Sequence, residues 1–300
     1  MLTGAAAVPL FSLAYWLLSY LPKSVFGKGK RMLWYLRQWA YPPLHIAPPR
    51  HRTATLPSGY RIRVNLSEMT GGDLYWGVPR LDEAERVVFA SLLRPGDVVF
   101  DVGENIGLYT LTALSVIGPK GEVYAFEPSP ISRGLLEQTL AINEIHTVKV
   151  EPVGLSDHEG AATLYLNSQS GCTSLGETGR GTVYGVKEIP LMTLDTYVDT
   201  RAVHRIDCIK VDVEGFEGDI LAGAQKVLRE QNPVLFIELD TKNKQKESNT
   251  PEKIMTTLGR LGYRMWCISR EGGVLERVVP GAPSYPGINF VFAKESNARL

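Results

Sequence analysis

From Val98 onward, short apolar runs alternate with segments of helical spacing, and this alternation constrains the fold more than any other feature of the chain. The runs are "VVFDV", "GEVYAFEP", "TVKVEPVGL", "IDCIKVDVEG" and "PVLFIEL". Helical segments are predicted over Asn105–Val116, Ile131–Asn143, Phe216–Glu230 and Pro251–Gly262. Runs without an inside–outside alternation are buried on both faces, which calls for a mostly parallel sheet covered by helices on both sides. The chain ends differently, with one helix and then two strands, "YRMWCIS" and "INFVFAK", joined by a hairpin-like stretch. The expected fold is therefore α/β: a doubly wound, mostly parallel, seven-stranded sheet closed by an antiparallel strand.

In such sheets ligands bind beyond the carboxyl ends of the strands. The strand-end acids Asp101, Glu127, Asp157, Asp212, Glu214 and Glu238 are thus the first residues to consider. After the first of these strands comes Asp101-Val-Gly103-Glu104-Asn105-Ile-Gly107. Glycines at 103 and 107 allow a tight turn and a close approach of backbone to a ligand. The spacing is not the G-x-G-x-x-G of a dinucleotide loop, and no Walker-type GK[ST] is present. Glu127, with Pro128 beside it, ends the second run. An acid there either accepts the two hydroxyls of a ribose or caps the helix that begins at Pro130.

The blocks "VVFDVGENIG", "VYAFEPSP", "VGLSD", "PLMTLDTY", "IDCIKVDVEGFEGDILAGA" and "PVLFIEL" resemble, in order and spacing, the FkbM-type methyltransferases. The likeness covers roughly Leu81 to Leu239. It implies a class I, Rossmann-like, S-adenosylmethionine-dependent methyltransferase fold and O-methylation of a sugar or natural-product hydroxyl. It also implies that Gly103, Asn105 and Gly107 face the methionine tail of the cofactor. Asp101 would accept from the ammonium or orient the loop, and Glu127 would hold the ribose. Ser156 and Asp157 would lie at the adenine edge, although "LSDHEG" is equally a turn. This sequence departs from the family loop at Glu104, where alanine is usual. A carboxylate there either contacts the ammonium or turns outward, and the outward direction is the expectation.

Methyl transfer to oxygen is an in-line displacement helped by a base that takes the hydroxyl proton. Strand alternation puts Lys210, Asp212 and Glu214 on one side. Asp212 is the first candidate base, Glu214 the second and Glu238 the third, with Lys210 among them. The same acids could instead form an ion-pair cluster with Lys210 or hold a divalent metal; a required metal is not favoured. The polar stretch 156–191 between the third and fourth strands is long for a plain connection. It is read either as an insertion over the acceptor site, with Thr173, Ser174, Arg180 and Tyr184 as contacts, or as a surface excursion.

Charge is unevenly spread. No acid precedes Glu68, while Lys23, Lys28, Lys30, Arg31, Arg37, Arg50, Arg52, Arg61 and Arg63 do. The net charge of zero thus divides into a basic start and an acidic remainder. Before Lys23 lies the apolar "AAAVPLFSLAYWLLSYL", borderline in length for a span. The basic, aromatic segment that follows suits a headgroup layer. Residues 1–50 are read as an apolar and basic helical arm, and 51–300 as the methyltransferase domain: a hairpin lead-in over 53–80, a core over 81–295. The arm, through residues 1–42, either spans, lies on an anionic membrane or packs on the domain. The expected location is cytoplasmic, with attachment to the cytoplasmic membrane face through the arm. The expected partner is a small-molecule, glycan or glycolipid hydroxyl, and no nucleic acid. Three scattered cysteines exclude a disulfide framework and a zinc site of CxxC type. Rival readings are an NAD-linked oxidoreductase and a non-catalytic scaffold.

Overall fold

The computed structural model describes residues 51–66, 68–76, 83–168, 171, 173–176, 182–239, 250–269, 274–279, 281, 285, 287–297 and 299. The expected arm lies outside the described residues, as does Arg180. Among the described residues no helix is long and apolar enough to cross a membrane. The chain divides into two compact units, Met1–Arg80 and Leu81–Leu300.

In the first unit β1 (His51–Thr55) and β2 (Arg61–Asn65) pair antiparallel. Gly59, at a φ of 88°, makes the turn between them in the left-handed region that glycine alone adopts freely. Helix α1 (Met69–Trp76) packs on the hairpin so tightly that a Cβ on Gly71 would meet the Asn65 carbonyl at 2.1 Å.

The second unit is built on one sheet in the order β12-β11-β13-β10-β9-β3-β4-β5. Its central strands are β3 (Val98–Val102), β4 (Glu122–Phe126), β5 (Val148–Glu151), β9 (Cys208–Val211) and β10 (Val234–Glu238), all parallel to their neighbours in that set. β13 (Asn289–Lys294) lies antiparallel between β10 and β11 (Tyr263–Ile268), as the two closing runs require. The sheet has eight strands, not seven. The extra one, β12 (Leu275–Arg277), comes from the hairpin-like stretch and adds a short edge to β11.

Side-chain alternation divides the two faces. Phe100, Phe126 and Ile209 face one layer with Tyr197 of α5 (Leu194–Thr200), Ile220 of α6 (Glu217–Ala222), Leu228 of α7 (Gln225–Glu230) and Leu258 of α8 (Pro251–Arg260). On the other face Phe236 meets Phe89 of α2 (Glu83–Ser91) edge-on at 5.3 Å, and Tyr109 of α3 (Leu108–Ile117) at 5.7 Å. Ala125 there packs with Leu136 and Leu140 of α4 (Pro130–Ile142). Each such fully buried side chain contributes about 1.5–3 kcal/mol.

Two predicted elements are broken, each for a local reason. The run "TVKVEPVGL" splits at Pro152, which has no N–H for the ladder. Beyond it β6 (Gly154–Leu155) leaves the main sheet and pairs with β8 (Val183–Met192). The predicted helix Phe216–Glu230 splits into α6 and α7 around Gly223. A Cβ at Gly223 would lie 2.0 Å from the Ser156 carbonyl oxygen, so the chains touch backbone to backbone. Within the polar stretch 156–191, β7 (Gly160–Asn167) and β8 pair antiparallel around buried Leu164, Ile189 and Leu191.

Candidate active site

The site is built on the carboxyl ends of β3, β4 and β9. Alternation turns Asp101 of β3 and Lys210 of β9 to the same face, and the register sets them directly opposite. Both are buried, at 0% and 2% exposed. The Lys210 ammonium donates to the Gly103 carbonyl at 2.9 Å and lies 3.4 Å from Asp101 and 3.5 Å from Asp212. It also sits over the Tyr109 ring at 5.2 Å. Burial alone would lower its pKa; Asp101, then Asp212 and Glu238, outweigh burial and hold it above its ordinary value. The other oxygen of Asp101 accepts from the Thr110 hydroxyl at 2.8 Å. Lys210 and Asp101 therefore fasten the loop from beneath, and neither lines the cleft above it. Of the two roles considered for Asp101, accepting from the ammonium or orienting the loop, this geometry fits the second, and for Lys210 it fits the ion-pair cluster.

The loop turns through Gly103, Asn105 and Gly107, with φ values of 74°, 57° and 89°. The helix begins at Leu108, not at the expected Asn105. The loop's amides are already engaged: Gly103 and Glu104 donate to the Phe126 carbonyl, and Asn105 donates to Glu127 Oε2 at 3.0 Å. Glu127 Oε1 accepts from the Ser129 amide at 2.7 Å, so one carboxylate ties the loop to the start of α4. Burial raises the Glu127 pKa to about 7, against the downward pull of the Ser129 and Asn105 amides, Lys210 and Arg133. Arg133 donates to the carbonyls of Glu127 and Pro128. Glu127 thus caps the turn, and its lone pairs not used by the two amides remain directed at the cleft it lines.

Glu104 does not turn outward. It is 3% exposed, and neither carboxylate oxygen has a hydrogen-bond partner. Burial first, then Glu127 and Asp101, push its pKa well above the usual carboxylate range, with Lys210 and Arg133 pulling the other way. It lies behind the lining of the cleft, like Gly107, whose place is set by packing against Leu136.

The third loop, after β9, runs Asp212-Val213-Glu214-Gly215. Glu214 takes a left-handed φ of 58°. Buried Glu217 accepts from the Gly215 amide at 3.0 Å and holds the turn; burial lifts its pKa to about 7. Asp212 and Glu214 both line the cleft. Glu238 does not: β10 pairs with β9 so that it stands beside Asp212, whose charge, followed by burial and Glu214, raises its pKa well above the usual range. Among the described residues no three His, Cys, Asp or Glu side chains are grouped to hold a metal.

One wall is apolar: Phe126, Val153, Leu155, Leu164, Ile189 and Phe216. It was not foreseen, because its residues come from two sheets and each looks like ordinary core in the sequence. Thr173 and Ser174 line the opposite side, and Ser174 donates to the Glu214 carbonyl at 3.4 Å. Tyr184 is 56% exposed and does not line the cleft. Ser156 and Asp157 also lie away from it. Ser156 is packed against Gly223, and Asp157 is paired with His158 at 2.6 Å, which lowers its pKa. "LSDHEG" forms a turn here, and Val153, Gly154 and Leu155, just before it, line the cleft.

Comparison with known proteins agrees with this architecture. The family model described as the methyltransferase FkbM domain matches residues 101–265. The 31-O-demethyl-FK506 methyltransferase FkbM of Streptomyces tacrolimicus is 31% identical over 161 residues, 44% of this chain and 61% of that protein. The hexuronic acid methyltransferase AglP of Haloferax volcanii is 28% identical over 181 residues, 59% of this chain and 70% of that protein. The matched stretch thus spans less than two thirds of the FkbM relative's own length. The crystal structure of methyltransferase FkbM from Methylobacillus flagellatus KT overlays with a TM-score of 0.45 at 17% identity, covering 67% of this chain and 45% of that one. With more than half of its length matched by the family model, this chain belongs to the FkbM-domain methyltransferases.

Proposed function

We propose that the cleft binds S-adenosylmethionine and that the protein methylates a hydroxyl of a sugar, glycolipid or natural product. The observation that carries this reading is the charge of the cleft. Its described lining holds Glu127, Asp212 and Glu214 and no lysine or arginine, and the amides of Gly103, Glu104 and Asn105 are spent on protein acceptors. A pyrophosphate would find no cation among the described lining residues and no free amide at Gly103 or Asn105, which counts against a dinucleotide. A nucleoside with a cationic sulfonium and no phosphate fits. The apolar wall suits a flat base, Glu127 suits ribose hydroxyls, and the side chains of Asn105 and Thr173 offer donors for a carboxylate.

When bound, that cofactor supplies an electrophilic methyl group. The protein's part is alignment and proton removal. Asp212, which lines the cleft, takes the hydroxyl proton as the new carbon–oxygen bond forms. Lys210, 3.5 Å away, steadies that carboxylate. Glu214 stands next to it on the same rim. O-methylation is supported by the FkbM and AglP relatives, whose names record methylation of a demethylated oxygen and of a hexuronic acid. The acid-free, basic start of the chain supports an acceptor presented at an anionic surface, as a glycolipid would be.

The test is transfer of labelled methyl from S-adenosylmethionine into glycan and glycolipid extracts. Asp212→Asn should reduce incorporation at least about tenfold while cofactor affinity changes only a few-fold. Undiminished incorporation would remove Asp212 as the base.

A further inference from the structure

Glu104 is the one buried acid of the site that no contact explains. Both its oxygens are enclosed and without a partner, yet two cations stand near. Neither is available to it. Lys210 is committed to the Gly103 carbonyl, Asp101 and Asp212. Arg133 is committed to the carbonyls of Glu127 and Pro128. The charged groups facing Glu104 are Asp101 from β3, Glu127 from the end of β4, Lys210 from β9 and Arg133 from α4. With Glu104 neutral, these form two acids and two bases; with Glu104 ionised, one negative charge is left over.

The place of that charge gives it a use. Gly103 and Asn105, its neighbours in the chain, both line the cleft, as does Glu127, which faces it. Glu104 therefore sits one layer behind the lining, in a dry setting where a cation in the cleft interacts strongly with it. We infer that Glu104 is a charge-compensating group: it keeps its proton while the cleft is empty, releases it to solvent when a cation enters, and so favours the charged cofactor over its uncharged product. The inference rests on the cofactor assignment above. S-adenosylmethionine carries one net positive charge; S-adenosylhomocysteine, which has lost the sulfonium, carries none. The ribose and base are common to both, so any proton that Glu127 loses to ribose contact is common to both as well.

The sign follows from linkage. A ligand that lowers the pKa of a group protonated in the free protein binds with proton release, and its affinity rises with pH until that group is ionised without ligand. The test is calorimetric titration of the full chain with each ligand near pH 7, in phosphate and in Tris, whose different ionisation enthalpies report the protons exchanged. S-adenosylmethionine should release up to about one proton more than S-adenosylhomocysteine, and the ratio of the two affinities should rise by up to about tenfold per pH unit. Glu104→Gln and Glu104→Ala should each abolish that difference while both ligands still bind. Equal proton release for the two ligands in the wild type, or a difference that survives in both variants, would overturn the inference and leave the cofactor assignment standing. Failure of both ligands to bind the wild type would overturn the cofactor assignment, and this inference with it.

Discussion

Replacing Lys210 with methionine is expected to destabilise the protein by about 3–5 kcal/mol, because it strips the ammonium from among Asp101, Asp212 and Glu238 while leaving the acids in place. Asp101 is fully buried and would keep only its bond from Thr110. Asp212 and Glu238, already opposed, would lose the cation that pulls their charges together. The loss should depend on pH with a definite sign. Without Lys210 the pKa of the Glu238 carboxyl, already raised and held down in part by that cation, rises further above its unfolded value. Stability is then retained at low pH and lost as pH rises through the folded pKa. Chemical unfolding at pH 5 and pH 8 measures this: the deficit should be larger at pH 8. A deficit below about 1 kcal/mol at both values would mean that Lys210 does not hold the loop.

Gly103→Ala is the second large effect, of about 2–5 kcal/mol. It combines about 1–2 kcal/mol for a Cβ in the left-handed region with about 1–3 kcal/mol for overpacking. A Cβ at this position would sit 1.9 Å from the Asp212 carbonyl oxygen, so the β3 and β9 loops could not keep their contact. Moving them apart shifts Asp212 and Asn105 together, and ligand binding should fall along with thermal stability. A variant that unfolds at the wild-type temperature would show that the two loops are not packed backbone to backbone.

Much of the fold was legible because its cause is local. Strands such as Val98–Val102 and Val234–Glu238 are apolar on both faces, and that follows directly from burial between helix layers. The closing antiparallel strand was legible for the same reason. The edge strand β12 was not, since three half-polar residues carry no periodic signal. The β7–β8 hairpin was hidden because β8 is mostly exposed, and only Ile189 and Leu191 commit it to a core. In the site, strand-end position identified Glu127, Asp212 and Glu214, which line the cleft. Alternation points Asp101 and Lys210 under the loop, which fits the loop-orienting role for Asp101 and the ion-pair reading for Lys210. Asp157 ends no strand of the main sheet, because Pro152 has already turned the chain away. Glu104 was misdirected for a different reason: a carboxylate is expected to seek water, and only the packed structure shows one enclosed among other charges.

The central claim is that the cleft beside Glu127, whose described lining is acidic and holds no lysine or arginine, is a site for S-adenosylmethionine. It is tested most directly by titrating S-adenosylmethionine and NAD separately into the wild-type chain and into Glu127→Gln. Saturable binding of S-adenosylmethionine alone, weakened about tenfold or more in the variant, is the predicted result. Binding of NAD in its place, or S-adenosylmethionine affinity that Glu127→Gln leaves unchanged, would contradict it.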